Sequence, residues 1–138
     1  MKYLLEHPVK GKLSGEKHRT EITWRNGSLI TDEPETFGGK DAGPDPFTLL
    51  LSSLVACTIA TLRMYIEYKR LDIQGVEVSA NMYQRIVNDE TITHVERKIS
   101  FFDQPPAEIQ ERLIRIAENC PVSKILKGNI KIITAIGE

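Results

Sequence analysis

The stretch Asp45-Pro46-Phe47-Thr48-Leu49-Leu50-Leu51-Ser52-Ser53-Leu54-Val55-Ala56-Cys57-Thr58-Ile59-Ala60-Thr61-Leu62 sets the architecture of this chain. Asp45 can accept hydrogen bonds from the first free N–H groups of a helix, and Pro46 suits the first helical position, where no N–H is needed. The pattern predicts one helix running on to about Lys69. From Phe47 to Leu62 it is apolar nearly all round, which predicts burial on most sides. From Arg63 to Arg70 it turns charged and should emerge toward water. The apolar run Leu49 to Leu62 carries Ser52, Ser53, Thr58 and Thr61, and it is shorter than the roughly 20 residues that span a bilayer.

Upstream, the first third of the chain reads as β. Thr20 to Trp24 and Ser28 to Thr31 flank Asn26-Gly27, a hairpin signal because both residues tolerate positive φ. Asp32 to Pro46 then gathers Pro34, Gly38, Gly39, Gly43, Pro44 and Pro46 into a loop with defined turns. Its carboxylates Asp32, Glu33 and Glu35 read as a solvated cluster split by Pro34.

Downstream, Ile73 to Ile86 alternates in part. So does Thr91 to Phe102, with Ile92, His94, Glu96 and Lys98 against Thr93, Val95, Arg97 and Ile99. With Asn88-Asp89 between them they predict a long antiparallel pair. Asp103 to Pro106 opens a second helix with Ile109, Leu113, Ile116 and Ala117 on one face. Pro121 interrupts it, because the residue before a proline avoids the α region. A short helix from Pro121 to Lys127 should stop at Gly128 as a C′ glycine, and Asn129 to Ile136 reads as a last strand. The class is α+β within one domain spanning residues 1–138.

With 138 residues and a net charge of −1, the chain offers no electrostatic footprint for nucleic acid. The N-terminus lacks the apolar core and cleavage site of a signal peptide. A cytoplasmic location is expected, with no membrane partner, and cytoplasmic thiols are normally reduced. His7, His18 and His94 have no metal-ligand spacing with one another or with the cysteines, so no metal and no bound cofactor are expected.

The chain has two cysteines, Cys57 and Cys120, separated by 63 positions. Cys57 lies mid-helix, where a free thiol is first a small buried hydrophobe. Ser53 and Thr61, one turn either side, could donate to a thiolate or back-bond to the helix. Cys120 falls at the N-cap of the Pro121 helix, where free N–H groups and the helix dipole lower a thiol pKa. It could also be a simple cap at a corner. Together the two fit a peroxidatic and resolving pair, in which one thiolate becomes a sulfenic acid and the other condenses with it.

Asp32-Glu33-Pro34, the run Gly38 to Thr58 and Glu118-Asn119-Cys120-Pro121-Val122-Ser123-Lys124-Ile125-Leu126 together resemble the OsmC/Ohr family, the osmotically induced and organic-hydroperoxide-resistance proteins. The small OsmC-like branch is the nearest in pattern. The resemblance implies an intertwined homodimer whose long central helices are wrapped by antiparallel sheets. It also implies a peroxidase that reduces organic hydroperoxides in oxidative-stress defence, with a dithiol or lipoyl-type reductant as partner. By position Cys57 would be the peroxidatic thiol and Cys120 the resolving one, although the local reading makes Cys120 the more acidic. Family peroxidases carry a Glu ten positions before the first cysteine, paired with an N-terminal Arg. Here that position is Phe47, and Arg19 and Arg25 are the available N-terminal arginines. The alternatives are a non-catalytic dimer that binds an apolar small molecule and a slow redox sensor.

Overall fold

A computed structural model describes residues 2–13 and 15–137, which divide into two compact units, Met1–Leu50 and Leu51–Glu138. The first unit is built on an antiparallel sheet of β1 (Lys10–Leu13), β2 (Thr20–Trp24) and β3 (Gly27–Thr31), in that order. β1 was not foreseen as a separate strand. Its Lys-Gly-Lys-Leu sequence has no β-branched or alternating pattern, and only its pairing with β2 makes it a strand. Trp24 pairs with Gly27, so the turn is Arg25-Asn26, one residue earlier than expected. Gly27 is needed for space, since a Cβ there would lie 2.8 Å from the Trp24 ring.

The loop after β3 is tied together by Asp32. Its carboxylate accepts the backbone N–H groups of Glu33 (2.8 Å), Lys40 (3.1 Å) and Ala42 (3.3 Å). The residue is only 4% exposed, so Asp32 is an internal organiser of the loop and not part of a solvated acidic cluster. Asp45 caps the next helix as expected, accepting the Thr48 N–H at 2.7 Å.

That helix, α1 (Pro46–Tyr68), starts in the first unit and continues into the second. At 23 residues it is long and apolar enough to cross a membrane by length and composition, which the shorter run counted from the sequence was not. In this chain one stripe of it, Leu54, Thr58, Leu62 and Ile66, is buried at four-residue spacing. Phe47, Leu50, Ile59 and Met64 are exposed, so within one chain the expected burial on most sides does not occur. α1 ends in a Schellman arrangement. Leu71 N–H bonds to Ile66 C=O, Arg70 N–H bonds to Glu67 C=O, and Arg70 takes a left-handed φ of 53°.

The second unit adds the antiparallel pair β4 (Val76–Val87) and β5 (Glu90–Phe101), joined by Asn88 and Asp89 with φ of 51° and 65°. Two left-handed residues in a two-residue loop match the right-handed twist of the strands. The core comprises Leu62 and Ile66 of α1, Ile73, Val78 of β4, and Leu113 and Ala117 of α2 (Ala107–Glu118). α2 starts directly after the Asp103 to Pro106 segment, as expected, with Pro106 as its N-cap. Within that segment the Asp103 carboxylate accepts the N–H groups of Gln74 and Gly75, closing the start of β4. α3 (Pro121–Lys127) follows at the predicted proline. It ends at Gly128, which is extended (φ −93°) and not left-handed as a C′ glycine would be.

The segment from 129 to 137 forms no strand, and Ile130, Ile132, Ile133 and Ile136 are exposed. The expected last strand from Asn129 to Ile136 is therefore not formed: a strand needs a neighbour to take its hydrogen bonds, and the sheets described here do not include this segment.

Candidate functional site

Three elements of the second unit meet at the two cysteines. Cys120 takes φ −64° and ψ 146°, the extended conformation imposed by the following Pro121, and caps α3. Its sulfur accepts the Ser123 N–H at 3.4 Å and lies 2.9 Å from the Ser123 hydroxyl. From α1, Thr58 places its hydroxyl oxygen 3.8 Å from the same sulfur, while its proton has the Leu54 carbonyl as an acceptor at 2.7 Å. Cys57, the preceding residue of α1, accepts the Val122 N–H of α3 at 3.5 Å.

β5 supplies Arg97. One guanidinium nitrogen donates to Ser123 Oγ at 2.8 Å and Thr58 Oγ1 at 2.9 Å, and lies 3.7 Å from the Cys120 sulfur. The sequence reading did not single out this arginine. The available signal was a charged residue on the strand face shared by Val95 and Ile99, where a guanidinium must find partners to be buried. Of the two N-terminal arginines, Arg19 pairs with Glu16 at 3.8 Å and Arg25 sits in the hairpin turn. Phe47 is in the first turn of α1 and is exposed.

Burial pushes the Cys120 thiol pKa up. Hydrogen bonding from the Ser123 hydroxyl and the Ser123 amide, with lesser help from the neighbouring Thr58 and Cys57 side chains, outweighs it and brings the pKa down from 9.0 to about 7. Both thiols are free. They differ in access, since Cys57 is half-buried while Cys120 is 0% exposed.

A cavity of about 430 Å³ adjoins this cluster, with Leu54, Val95 and Leu126 as its apolar wall and Arg97, Ser123, Glu118 and Lys127 as its polar side. Neither cysteine lines it, and it reaches the thiols through Arg97 and Ser123. The Lys127 ammonium, hydrogen-bonded to Glu118, holds that carboxyl below the usual range; burial opposes this and Arg97 adds to it. Among the described residues no group of three or more His, Cys, Asp or Glu could hold a metal ion.

The sequence matches the OsmC-like protein family over residues 38–135. The chain belongs to that family. No curated protein matches the sequence significantly. Among solved structures, this OsmC-like chain is similar to an organic hydroperoxide resistance protein OsmC from Legionella pneumophila. That pair is 20% identical, with a TM-score of 0.70 and 93% of each chain covered. An osmotic-stress-induced and detoxification response protein from Psychrobacter arcticus is 26% identical, with a TM-score of 0.67 and 85% of each chain covered. The organic hydroperoxide resistance protein OhrB of Bacillus subtilis is 20% identical, with a TM-score of 0.65 over 92% of this chain and 94% of that one. The α+β architecture of the OsmC-like fold is therefore present.

Proposed function

We propose that this protein is a cytoplasmic thiol peroxidase, one domain in extent and dimeric. It reduces organic hydroperoxides through Cys57 and Cys120 and is regenerated by an external dithiol or lipoyl-type reductant. The observation that carries this reading is the convergence of both sulfurs with an arginine and three hydrogen-bond donors. Cys57, the more accessible sulfur, is the peroxidatic thiol. It attacks the distal peroxide oxygen, releases an alcohol and becomes a sulfenic acid, and Cys120 then condenses with it to a disulfide. Arg97 occupies the role that an N-terminal arginine has in the family pattern. Its partners here are hydroxyls, with Glu118 as a neighbouring charge, and the carboxylate expected at position 47 is replaced by Phe47. In the second unit α1 leaves Ile59 and Met64 exposed, and these are the side chains that a second subunit would cover.

The test is intact mass of the reduced protein after sub-stoichiometric cumene hydroperoxide, beside hydrogen peroxide. Wild type should lose two hydrogens rapidly with the organic peroxide. A sulfenic acid should be trapped on Cys57 in Cys120→Ser, and Cys57→Ser should consume no peroxide. A Cys57→Ser protein that consumes peroxide at the wild-type rate would end the proposal.

A second reading, a dimer that holds an apolar small molecule, is favoured by the wall of Leu54, Val95 and Leu126 in the 430 Å³ cavity. Native mass spectrometry of gently purified protein tests it, a co-purified ligand being the expected sign.

A further inference from the structure

The geometry points to a second ligand site, within the first unit and sharing no residue with the thiol cluster: a basic cavity that binds the phosphate of a small phosphomonoester. The cavity has a volume of about 360 Å³ and lies between the β1–β2 connection and the loop that follows β3. That is within the size range of small-molecule pockets.

Its wall is basic although the chain is not. The net charge of the protein is −1, yet Lys17, His18, Arg19 and Lys40 all line this one cavity. In an extended strand three consecutive side chains would alternate between faces. Here a tight turn prevents the alternation. The Arg19 N–H bonds to the Glu16 C=O at 2.8 Å, and Lys17 takes a left-handed φ of 26°. That conformation is costly for a residue with a Cβ, and with it Lys17, His18 and Arg19 border the same space. The second loop approaches closely. Gly38 has a φ of 87°, and a Cβ there would lie 3.6 Å from His18 Nε2. Two residues on, Lys40 is held by its amide, which donates to Asp32 Oδ2 at 3.1 Å.

Two carboxylates also border the cavity, and both are engaged. Glu16 pairs with Arg19 at 3.8 Å. Asp32 is 4% exposed, and its oxygens accept three backbone N–H groups. Among the described residues Lys17 and Lys40 have no carboxylate within ion-pair distance. The cavity therefore presents two ammonium groups, from separate segments, whose charge is not spent inside the protein. Guanidinium and imidazole N–H donors share the lining. A phosphomonoester carries a charge of about −1.5 to −2 at neutral pH and three strong acceptor oxygens, so it can be shared between cations from both segments. A phosphodiester or a carboxylate has a single charge and matches one of them.

The experiment is amide NMR spectroscopy of the full-length reduced protein in low-salt, phosphate-free buffer. It is titrated with phenyl phosphate and, separately, with the diester methyl phenyl phosphate. Phenyl phosphate should give saturable shifts at the amides of Gly15, Gly38, Gly39 and Lys40, and the diester should bind at least about fivefold more weakly. Lys17→Glu and Lys40→Glu should each weaken phenyl phosphate binding by about tenfold. Lys10→Glu, on β1 and outside the cavity lining, should change it by less than about twofold. Lys17→Gln and Lys40→Gln remove the charge without reversing it, should weaken binding to an intermediate extent, and serve if a charge reversal disturbs the fold. No saturable shift, equal binding of the diester, or unchanged binding in the lysine variants would each overturn the proposal. None of these outcomes bears on the thiol chemistry, which has its own test.

Discussion

Ser123 shows how much of the site depends on single atoms. Its amide caps toward Cys120, its hydroxyl faces the same sulfur, and its oxygen receives Arg97. Ser123→Ala keeps the amide but removes the strongest of the hydrogen bonds that lower the Cys120 pKa. The thiolate titration of Cys120 should move up by about one pH unit, and disulfide formation should slow near neutral pH and recover in alkali. Stopped-flow oxidation at two pH values checks this, because a purely steric effect would not be rescued by base. At this scale the sequence was informative where chemistry is local. The pairing of Cys120 with Pro121 announces an N-cap, and an N-cap thiol is acidified by the amides it accepts. Arg97 could not be read the same way, since its partners Thr58 and Ser123 are 39 and 26 residues away. Only tertiary structure brings them together.

At the scale of elements, α1 and the two-residue turn at Asn88-Asp89 follow from local rules of capping and backbone freedom, and both were legible. What failed concerned neighbours. An apolar helix predicts burial but not what buries it. Here Leu54, Thr58, Leu62 and Ile66 face the chain's own interior, and Ile59 and Met64 do not. If a second subunit covers that side, Ile59→Glu should shift the protein from dimer to monomer in size-exclusion chromatography with light scattering, with its helical circular dichroism retained. Leu62→Ala, by contrast, removes a side chain only 1% exposed. It should cost about 2–5 kcal/mol in denaturant unfolding. The Asn129 to Ile136 segment repeats the lesson, because alternation marks a strand candidate and only a partner edge makes it one.

Across the whole molecule, the acidity of Cys120 links stability to pH. Its pKa is lowered in the folded state, from 9.0 to about 7. The folded reduced protein therefore sheds that proton at a lower pH than the unfolded chain does. The resulting stability is fully present above the unfolded value and is lost as pH falls through about 7. Between those limits the reduced protein should gain about 2–3 kcal/mol on going from mildly acidic to alkaline buffer. Urea titrations in the presence of a phosphine reductant measure it, and Cys120→Ser should lack the increment.

The contrast in access between the two sulfurs has one more consequence. Small cellular disulfides can reach the half-buried Cys57 and would leave it capped as a mixed disulfide. The sheltered sulfur beside it is positioned to expel such a cap by thiol–disulfide exchange. If the proposed Cys57–Cys120 disulfide forms, the protein should resist lasting S-thiolation and direct oxidation of Cys57 into that one internal bridge. Its oxidised population would then be chemically uniform, and a single kind of reductant would recover all of it.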